Sequence, residues 1–151
     1  MSATRPGRAQ ARSAARLAAV QALYQQSMEG TALPRLLDEF HQHRLGADLD
    51  DAQMADAEVS FFDDLVSGAL ARQEEIDGLL EKRLAQGWTL QRLDKTMLQI
   101  LRAGTYELLA RADVPTGSAI NEYVDVAHAF FQEREAKFVN GVLDAIAKAV
   151  R

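Results

Sequence analysis

Apolar residues recur at every third or fourth position through most of the chain, and this repeat constrains the fold more than any other feature. Such spacing places them along one face of an α-helix, whereas a strand would show alternation at every second residue. Ala, Leu, Gln, Glu and Arg, all good helix formers, dominate the composition, and there are only three prolines. No sustained alternation of Val, Ile or Thr is present. The sequence therefore predicts an all-α fold.

The repeat and its interruptions predict six to seven helices. The segments run from about 9 to 28, from 35 to 45, from 59 to 80, from 89 to 108, from 118 to 131 and from 138 to 150. Asp113-Val114-Pro115 is the firmest break, because proline disfavours helical geometry in the residue before it. Residues 46–55 are acidic and weakly apolar, which predicts a loop. Thr89 is the expected N-cap of the fourth helix.

Two further residues are interpreted from their position between helical segments. Trp88, the only tryptophan, follows Gly87 at a helix junction, which predicts an anchor in the core. Asn140-Gly141 would ordinarily indicate a turn. A helical stripe continues on both sides of it, so we expect a helix interior where glycine permits close packing.

Chain length and composition exclude several classes of protein. A chain of 151 residues predicts one domain, residues 1–151, with 1–8 as a flexible basic N-terminus. The absence of Cys excludes a disulfide scaffold, a Cys-ligated zinc site and a thiol nucleophile, and it is consistent with a cytoplasmic protein. The longest stretch without Asp, Glu, Lys or Arg is residues 17–28. A membrane span needs about 20 apolar residues, so we expect no membrane-spanning helix.

The net charge of −5 conceals an uneven distribution of charge along the chain. Residues 29–81 carry 14 acids and three arginines, whereas residues 1–28 carry no acid. The four basic residues of that first segment are Arg5, Arg8, Arg12 and Arg16. Because salt screens charges beyond about 10 Å, the local pattern decides what binds. It favours either contact with nucleic acid or a solvated basic tail. A targeting peptide is rejected, since glutamines interrupt its apolar part and the segment keeps helical spacing.

No set of residues has the spacing of an active site. His41 and His43 point to different sides of one helix and cannot chelate one ion from it, so we expect both to face solvent. His128 lies near Asp125, which predicts a packed or hydrogen-bonded histidine. The glycines form no phosphate-binding loop. We therefore expect no enzyme, no catalytic residue, no metal and no cofactor.

Four stretches of the chain resemble, in order, the motifs of one known family. Residues 15–25 (ARLAAVQALYQ) are similar to the opening helix of the NusB transcription antitermination factors, and residues 101–108 (LRAGTYEL) to their LR-x-x-x-YEL helix. Residues 113–122 match the family's DVP…AINE junction, and residues 137–144 match its KFVNGVLD. Together they span residues 15–144, nearly the whole chain.

The resemblance implies a fold, a role and partners. The fold is two small helical bundles packed crosswise, and the role is not enzymatic. NusB-like proteins pair with NusE, a protein of the small ribosomal subunit, and the pair binds the boxA element of nascent RNA. The complex joins other Nus factors on RNA polymerase and suppresses premature termination, chiefly in ribosomal RNA operons.

The resemblance also implies which residues contact RNA. Arginine neutralises phosphates and stacks on bases, and aromatic rings stack on unpaired bases. Periodicity alone leaves Tyr24 and Phe138 equally consistent with core positions. The family normally has a glycine-containing loop before Lys-Phe, and the charged segment 131–136 departs from it. By position, the expected RNA-binding residues are Arg5, Arg8, Arg12, Arg16, Tyr24, Arg102, Lys137 and Phe138.

Two other functions remain open at this point. NusB-like domains also occur at the N-terminus of ribosomal RNA cytosine methyltransferases, so the chain could act as a detached RNA-binding module of such a system. A purely structural helical protein would leave the acid-free first segment without a role. Amphipathic helices in this fold could also hold a second copy of the chain, as a homodimer, instead of NusE.

Overall fold

The computed structural model describes residues 7–43 and 56–151, without the side chains of residues 8, 56 and 57. This part of the chain contains seven α-helices, one 3-10 helix and no strand, so the all-α prediction is confirmed. The predicted loop at 46–55 lies outside the described residues. The α-helices are α1 (Arg8–Glu29), α2 (Leu33–His43), α3 (Asp56–Ala71), α4 (Gln73–Glu81), α5 (Lys95–Ala110), α6 (Thr116–Phe130) and α7 (Glu133–Val150).

The chain divides into two compact units, residues 1–67 and residues 68–151. The boundary falls inside α3. The assignment of residues 1–151 to one domain stays a prediction. Among the described residues, no helix is both long enough and apolar enough to cross a membrane.

In the first unit, α1 packs against α2, and Nε2 of Gln25 donates to Oε2 of Glu39 at 3.0 Å. α1 ends as predicted at Gly30, whose φ of 69° is left-handed and whose N–H donates to the carbonyl of Gln26 at 2.8 Å. α2 buries Leu36 and Phe40, and the Phe40 ring stacks on Phe62 of α3 with centroids 5.6 Å apart. Leu36 and Phe40 are four residues apart, the spacing that places two side chains on one face of a helix.

The third predicted helix is wrong in one respect, because it is two helices. α3 ends at Ala71 and α4 begins at Gln73, and Arg72 between them has φ −108° and ψ 20°. Backbone hydrogen bonds continue on both sides, from Arg72 to Gly68 and from Ile76 to Arg72. Apolar spacing persists across such a one-residue bend, so periodicity identifies the buried face without showing that the axis changes direction.

The connection between α4 and α5 differs most from the prediction. Thr89 precedes a 3-10 helix, Leu90–Arg92, and does not cap α5. The cap is Asp94, whose Oδ1 accepts hydrogen bonds from the backbone N–H groups of Thr96 and Met97 at 2.8 and 3.1 Å. Trp88 is 52% exposed, so the prediction of a core anchor is also wrong.

The second unit is built around α5, which packs against α6 and α7. Gly104 of α5 permits close approach: a Cβ there would lie 2.9 Å from Cδ1 of Leu143 and 3.3 Å from Cδ2 of Tyr123. The Tyr123 hydroxyl donates to the buried carboxylate of Glu107 at 2.8 Å. The predicted break at Pro115 is confirmed, since α5 ends at Ala110 and α6 begins at Thr116.

Asn140-Gly141 lies inside α7, so the helix prediction is confirmed. The predicted close packing at this pair is wrong. Both residues are exposed, and a Cβ added at Gly141 would meet nothing within 4 Å. The close approaches occur instead at Gly104 and at Gly68, where an added Cβ would overlap the ring of Tyr106. A glycine in a helix therefore does not by itself mark a helix crossing.

Candidate nucleic-acid interface

The residues expected to contact RNA are distributed over three helices, α1, α5 and α7. Arg5 lies outside the described residues. Arg8 is the first residue of α1, and its side chain is not described. The remaining six are described, and their environments divide them into buried and exposed groups.

Arg12 and Arg16 project from one face of α1, as their spacing of four residues predicts. The guanidinium carbons lie 4.5 and 5.0 Å from the centroid of the same ring, that of Phe61 on α3. Nε of Arg12 lies 3.7 Å from Oε1 of Glu58, a buried carboxylate. These four residues, which we call the Phe61 cluster, join α1 to α3 within the first unit.

Burial separates the two arginines of the Phe61 cluster. Arg16 is 4% exposed, and the side chain of Arg12 is 18% exposed. The expectation that both lie on the surface is therefore wrong for Arg16, because the face of α1 that carries it is covered by α3. Arg12 retains an edge that reaches solvent, so an anion can approach this part of its side chain.

Tyr24 lies on the surface of α1 and is 38% exposed. Of the two alternatives that periodicity left open, core or surface, the structure shows the surface. Met28, one turn further along α1, is 49% exposed. This end of α1 therefore presents an aromatic ring and a thioether to solvent.

Arg102 forms an ion pair in the second unit. Its Nε and Nη2 donate to the two carboxylate oxygens of Asp77 at 2.9 and 2.8 Å, which joins α5 to α4. The Arg102 side chain is only 13% exposed. Two N–H groups of Arg102 therefore donate to the carboxylate of Asp77 within the second unit.

Lys137 and Phe138 lie near the start of α7, and both are exposed, Phe138 by 38%. The residues before them, 131–136, form a two-residue link followed by the first turn of α7. Oε1 of Glu135 accepts the backbone N–H of Gln132 at 3.1 Å, and Oε2 accepts Nε of Arg134 at 3.1 Å. The Arg134 hydrogen bond, followed by that of Gln132, holds the pKa of Glu135 below its usual 4.5. The charged sequence here therefore starts a helix where the family pattern has a glycine loop.

Two of the three histidines lie against carboxylates within their own units, and the third, His43, is exposed as predicted. Nε2 of His41 lies 2.6 Å from Oδ1 of Asp63, so His41 is half-buried and not simply solvent-facing as predicted. Nε2 of His128 lies 3.0 Å from Oε2 of Glu133, which confirms a hydrogen-bonded histidine. Within residues 7–43 and 56–151, no cluster of three His, Asp or Glu side chains has the geometry to hold a metal ion.

Comparison with known proteins identifies the family. The model of the NusB family matches residues 13–148. The chain belongs to the NusB family. The transcription antitermination protein NusB of Novosphingobium aromaticivorans is 72% identical over 141 residues, which cover 93% of this chain and 95% of that protein.

Solved NusB structures share the fold. T. maritima NusB superposes with a TM-score of 0.77 at 30% identity, over 96% of this chain and 93% of that one. A chain from a crystal structure of the antitermination factors NusB and NusE in complex with double-stranded RNA superposes with a TM-score of 0.76. Its identity is 31%, over 93% of this chain and 98% of that one.

Within the NusB family, this chain combines two kinds of candidate residue. Tyr24, Lys137 and Phe138 are exposed, and their side chains are of the types that can stack on bases or pair with phosphate. Arg16 and Arg102 are held inside their units by Phe61 and Asp77. Sequence reasoning missed Trp88, because a tryptophan next to a helix junction gives the same signal whether it is buried or exposed.

Proposed function

We propose that this chain binds boxA-type RNA together with NusE and promotes processive transcription of ribosomal RNA operons. In this role it joins other Nus factors on RNA polymerase and catalyses no reaction itself. The observation that carries the proposal is the likeness to the NusB chain of a NusB–NusE–RNA complex, at 31% identity over almost the full length of both chains.

The arrangement of side chains supports separate tasks for the candidate residues. On α1, the exposed edge of Arg12 and the ring of Tyr24 face solvent, and Arg8 lies one turn before Arg12. We infer that Arg5, Arg8 and Arg12 pair with phosphates and that Tyr24 stacks on a base. Arg16 acts as a positioning residue, because its guanidinium lies against Phe61.

On α7, Lys137 supplies a cation and Phe138 a ring for the same RNA. We infer that Arg102 stabilises the second unit, since both carboxylate oxygens of Asp77 accept its hydrogen bonds. Neither side chain of that pair has to reach RNA in order to affect RNA binding.

Transcription in vitro tests the proposal. A template with a boxA element upstream of a terminator is transcribed with NusE, the other Nus factors and either this chain or buffer. We expect the chain to increase read-through only when boxA is intact. Lys137→Ala should reduce the increase, whereas Lys148→Ala on the same helix, an exposed lysine paired with Asp144, should leave it unchanged. Equal read-through with intact and scrambled boxA would contradict the proposal.

A further inference from the structure

A groove of about 630 Å³ opens on the second unit beside the start of α7. This volume falls within the range of sites that take small organic groups. The residues that form most of its lining are apolar or aromatic: Leu84, Trp88, Leu93, Met97, Phe131 and Phe138. Three of these come from the connection between α4 and α5, Met97 comes from the first turn of α5, and Phe131 and Phe138 come from the α6–α7 link and α7.

The groove exposes two aromatic rings. Trp88 is 52% exposed and Phe138 is 38% exposed. The guanidinium carbon of Arg92 lies 5.2 Å from the Trp88 ring centroid, and its Nη1 donates to the carbonyl of Gly87 at 2.7 Å. The contact with Arg92 restrains the orientation of the Trp88 indole, which is not buried. The exposed part of the ring remains available to a planar partner.

The charges at the groove favour an anionic partner. Arg92 and Arg134 line it, and the Arg134 side chain is 94% exposed. The two carboxylates that line the groove already accept hydrogen bonds. Asp94 accepts backbone N–H groups at the start of α5, and Glu135 accepts the N–H of Gln132 and Nε of Arg134 at the start of α7. The guanidinium groups are therefore the charges that an incoming ligand meets most directly.

We propose that this groove binds an unpaired segment of RNA, with a base stacked on Trp88 and a phosphate at Arg134. The proposal rests on the proposed function, because it adds a subsite for the same RNA. Proteins that hold single strands combine aromatic stacking platforms with cations that follow the backbone. The groove is also continuous with Lys137-Phe138, since Phe138 forms part of its lining. An apolar protein segment would cover the apolar lining but would bring no anion to the exposed guanidinium of Arg134.

Fluorescence tests the stacking directly, because Trp88 is the only tryptophan of the chain. The full chain is titrated with single-stranded boxA-type RNA and, separately, with the same RNA annealed to its complement. We expect the single strand to quench Trp88 fluorescence and the duplex to quench it much less, since paired bases cannot stack on the indole.

Substitutions of Trp88 and Arg134 test the aromatic ring and the positive charge separately. RNA binding is measured by titration of labelled RNA in the presence of NusE. Trp88→Ala should weaken RNA binding about ten-fold, which corresponds to about 1.4 kcal/mol, and Trp88→Phe should restore most of the loss. Arg134→Gln should make the salt dependence shallower by about 0.7 in log–log slope. Lys148→Gln, at the other end of α7, should leave the slope unchanged.

The outcomes distinguish the groove from the proposed function. RNA binding with NusE but without quenching, and with wild-type affinity for Trp88→Ala, would overturn the groove proposal and leave the proposed function intact. Weaker binding of NusE but not of RNA to Trp88→Ala would also overturn it and would make the groove a protein-docking surface. An absence of any boxA binding with NusE would contradict both proposals.

Discussion

Arg102 and Asp77 form a two-point ion pair, with N–O distances of 2.9 and 2.8 Å, that joins α5 to α4. The side chains are 13% and 23% exposed, so water screens the pair only in part. Removing one partner of this pair would leave an unpaired charge in a partly buried place. Such a loss lowers the stability of the fold much more than breaking an exposed pair does. The pair therefore connects the LR-x-x-x-YEL motif to the stability of the second unit.

We expect Arg102→Ala to lower the free energy of unfolding by about 1–3 kcal/mol, between the values for exposed and buried pairs. The double variant Arg102→Met with Asp77→Leu should recover part of this loss, because no unpaired charge remains. Denaturant melts of Arg102→Met, of Asp77→Leu and of the double variant give the coupling energy. Full stability in Arg102→Ala together with a loss of RNA affinity would show that Arg102 contacts RNA and contributes nothing to folding.

The Phe61 cluster predicts that Arg16 acts on stability more than on charge. Arg16→Ala removes a buried stem and a guanidinium stacked on Phe61, so we expect a loss of about 1–3 kcal/mol. Arg35→Ala is the matched control, since that side chain is 79% exposed and should cost less than about 0.5 kcal/mol.

The salt dependence of RNA binding checks the same assignment. Because Arg16 is buried, Arg16→Ala should leave the log–log slope unchanged even where affinity falls. A slope shallower by about 0.7 would mean that Arg16 neutralises a phosphate directly.

Replacing glycine by alanine should lower stability at two helical glycines and raise it at a third. Gly68→Ala should destabilise, because the new methyl group overlaps the buried Tyr106 ring, and overpacking of this kind costs about 1–3 kcal/mol. Gly104→Ala should destabilise less, since its nearest neighbour is the end of a leucine side chain. Gly141→Ala should stabilise by about 0.5–1 kcal/mol, because that site is helical and open. Thermal and denaturant melts of the three variants test this order, and a destabilised Gly141→Ala would contradict it.

The start of α7 predicts a dependence of stability on pH. The pKa of Glu135 is lowered by hydrogen bonds from Arg134 and from the Gln132 backbone, so folding favours the ionised form. This contribution is fully present above the unfolded pKa, near 4.5, and is lost as the pH falls through the lower folded value. The difference in unfolding free energy between wild type and Glu135→Gln should be constant from about pH 7 to pH 5.5 and should shrink in more acidic solution. A difference that does not change down to pH 3 would contradict this account.

The sequence predicts the helices well because their buried faces repeat locally. It does not predict the bend at Arg72, since the apolar stripe continues through it. Thr89 and Asp94 are both capping residue types, and only the turn between them decides which one begins α5.

The candidate site is less predictable because exposure depends on distant residues. Arg16 is buried by Phe61, 45 residues further along the chain, and Trp88 is exposed beside an arginine that holds it. Neither outcome has a local signal in the sequence. The resemblance predicts the positions, and three-dimensional packing decides which of their side chains are exposed to solvent.

The affinity for boxA-type RNA with and without NusE tests the central claim most directly. Four cations that each neutralise one phosphate, Arg5, Arg8, Arg12 and Lys137, would give a log–log salt slope of only about −3, so the chain alone should bind weakly and lose affinity as salt rises. Binding should become at least about ten-fold tighter, or about 1.4 kcal/mol, when NusE is present in excess. Equal affinity in the two titrations, measured at one salt concentration, would contradict the claim that the chain acts on RNA together with NusE.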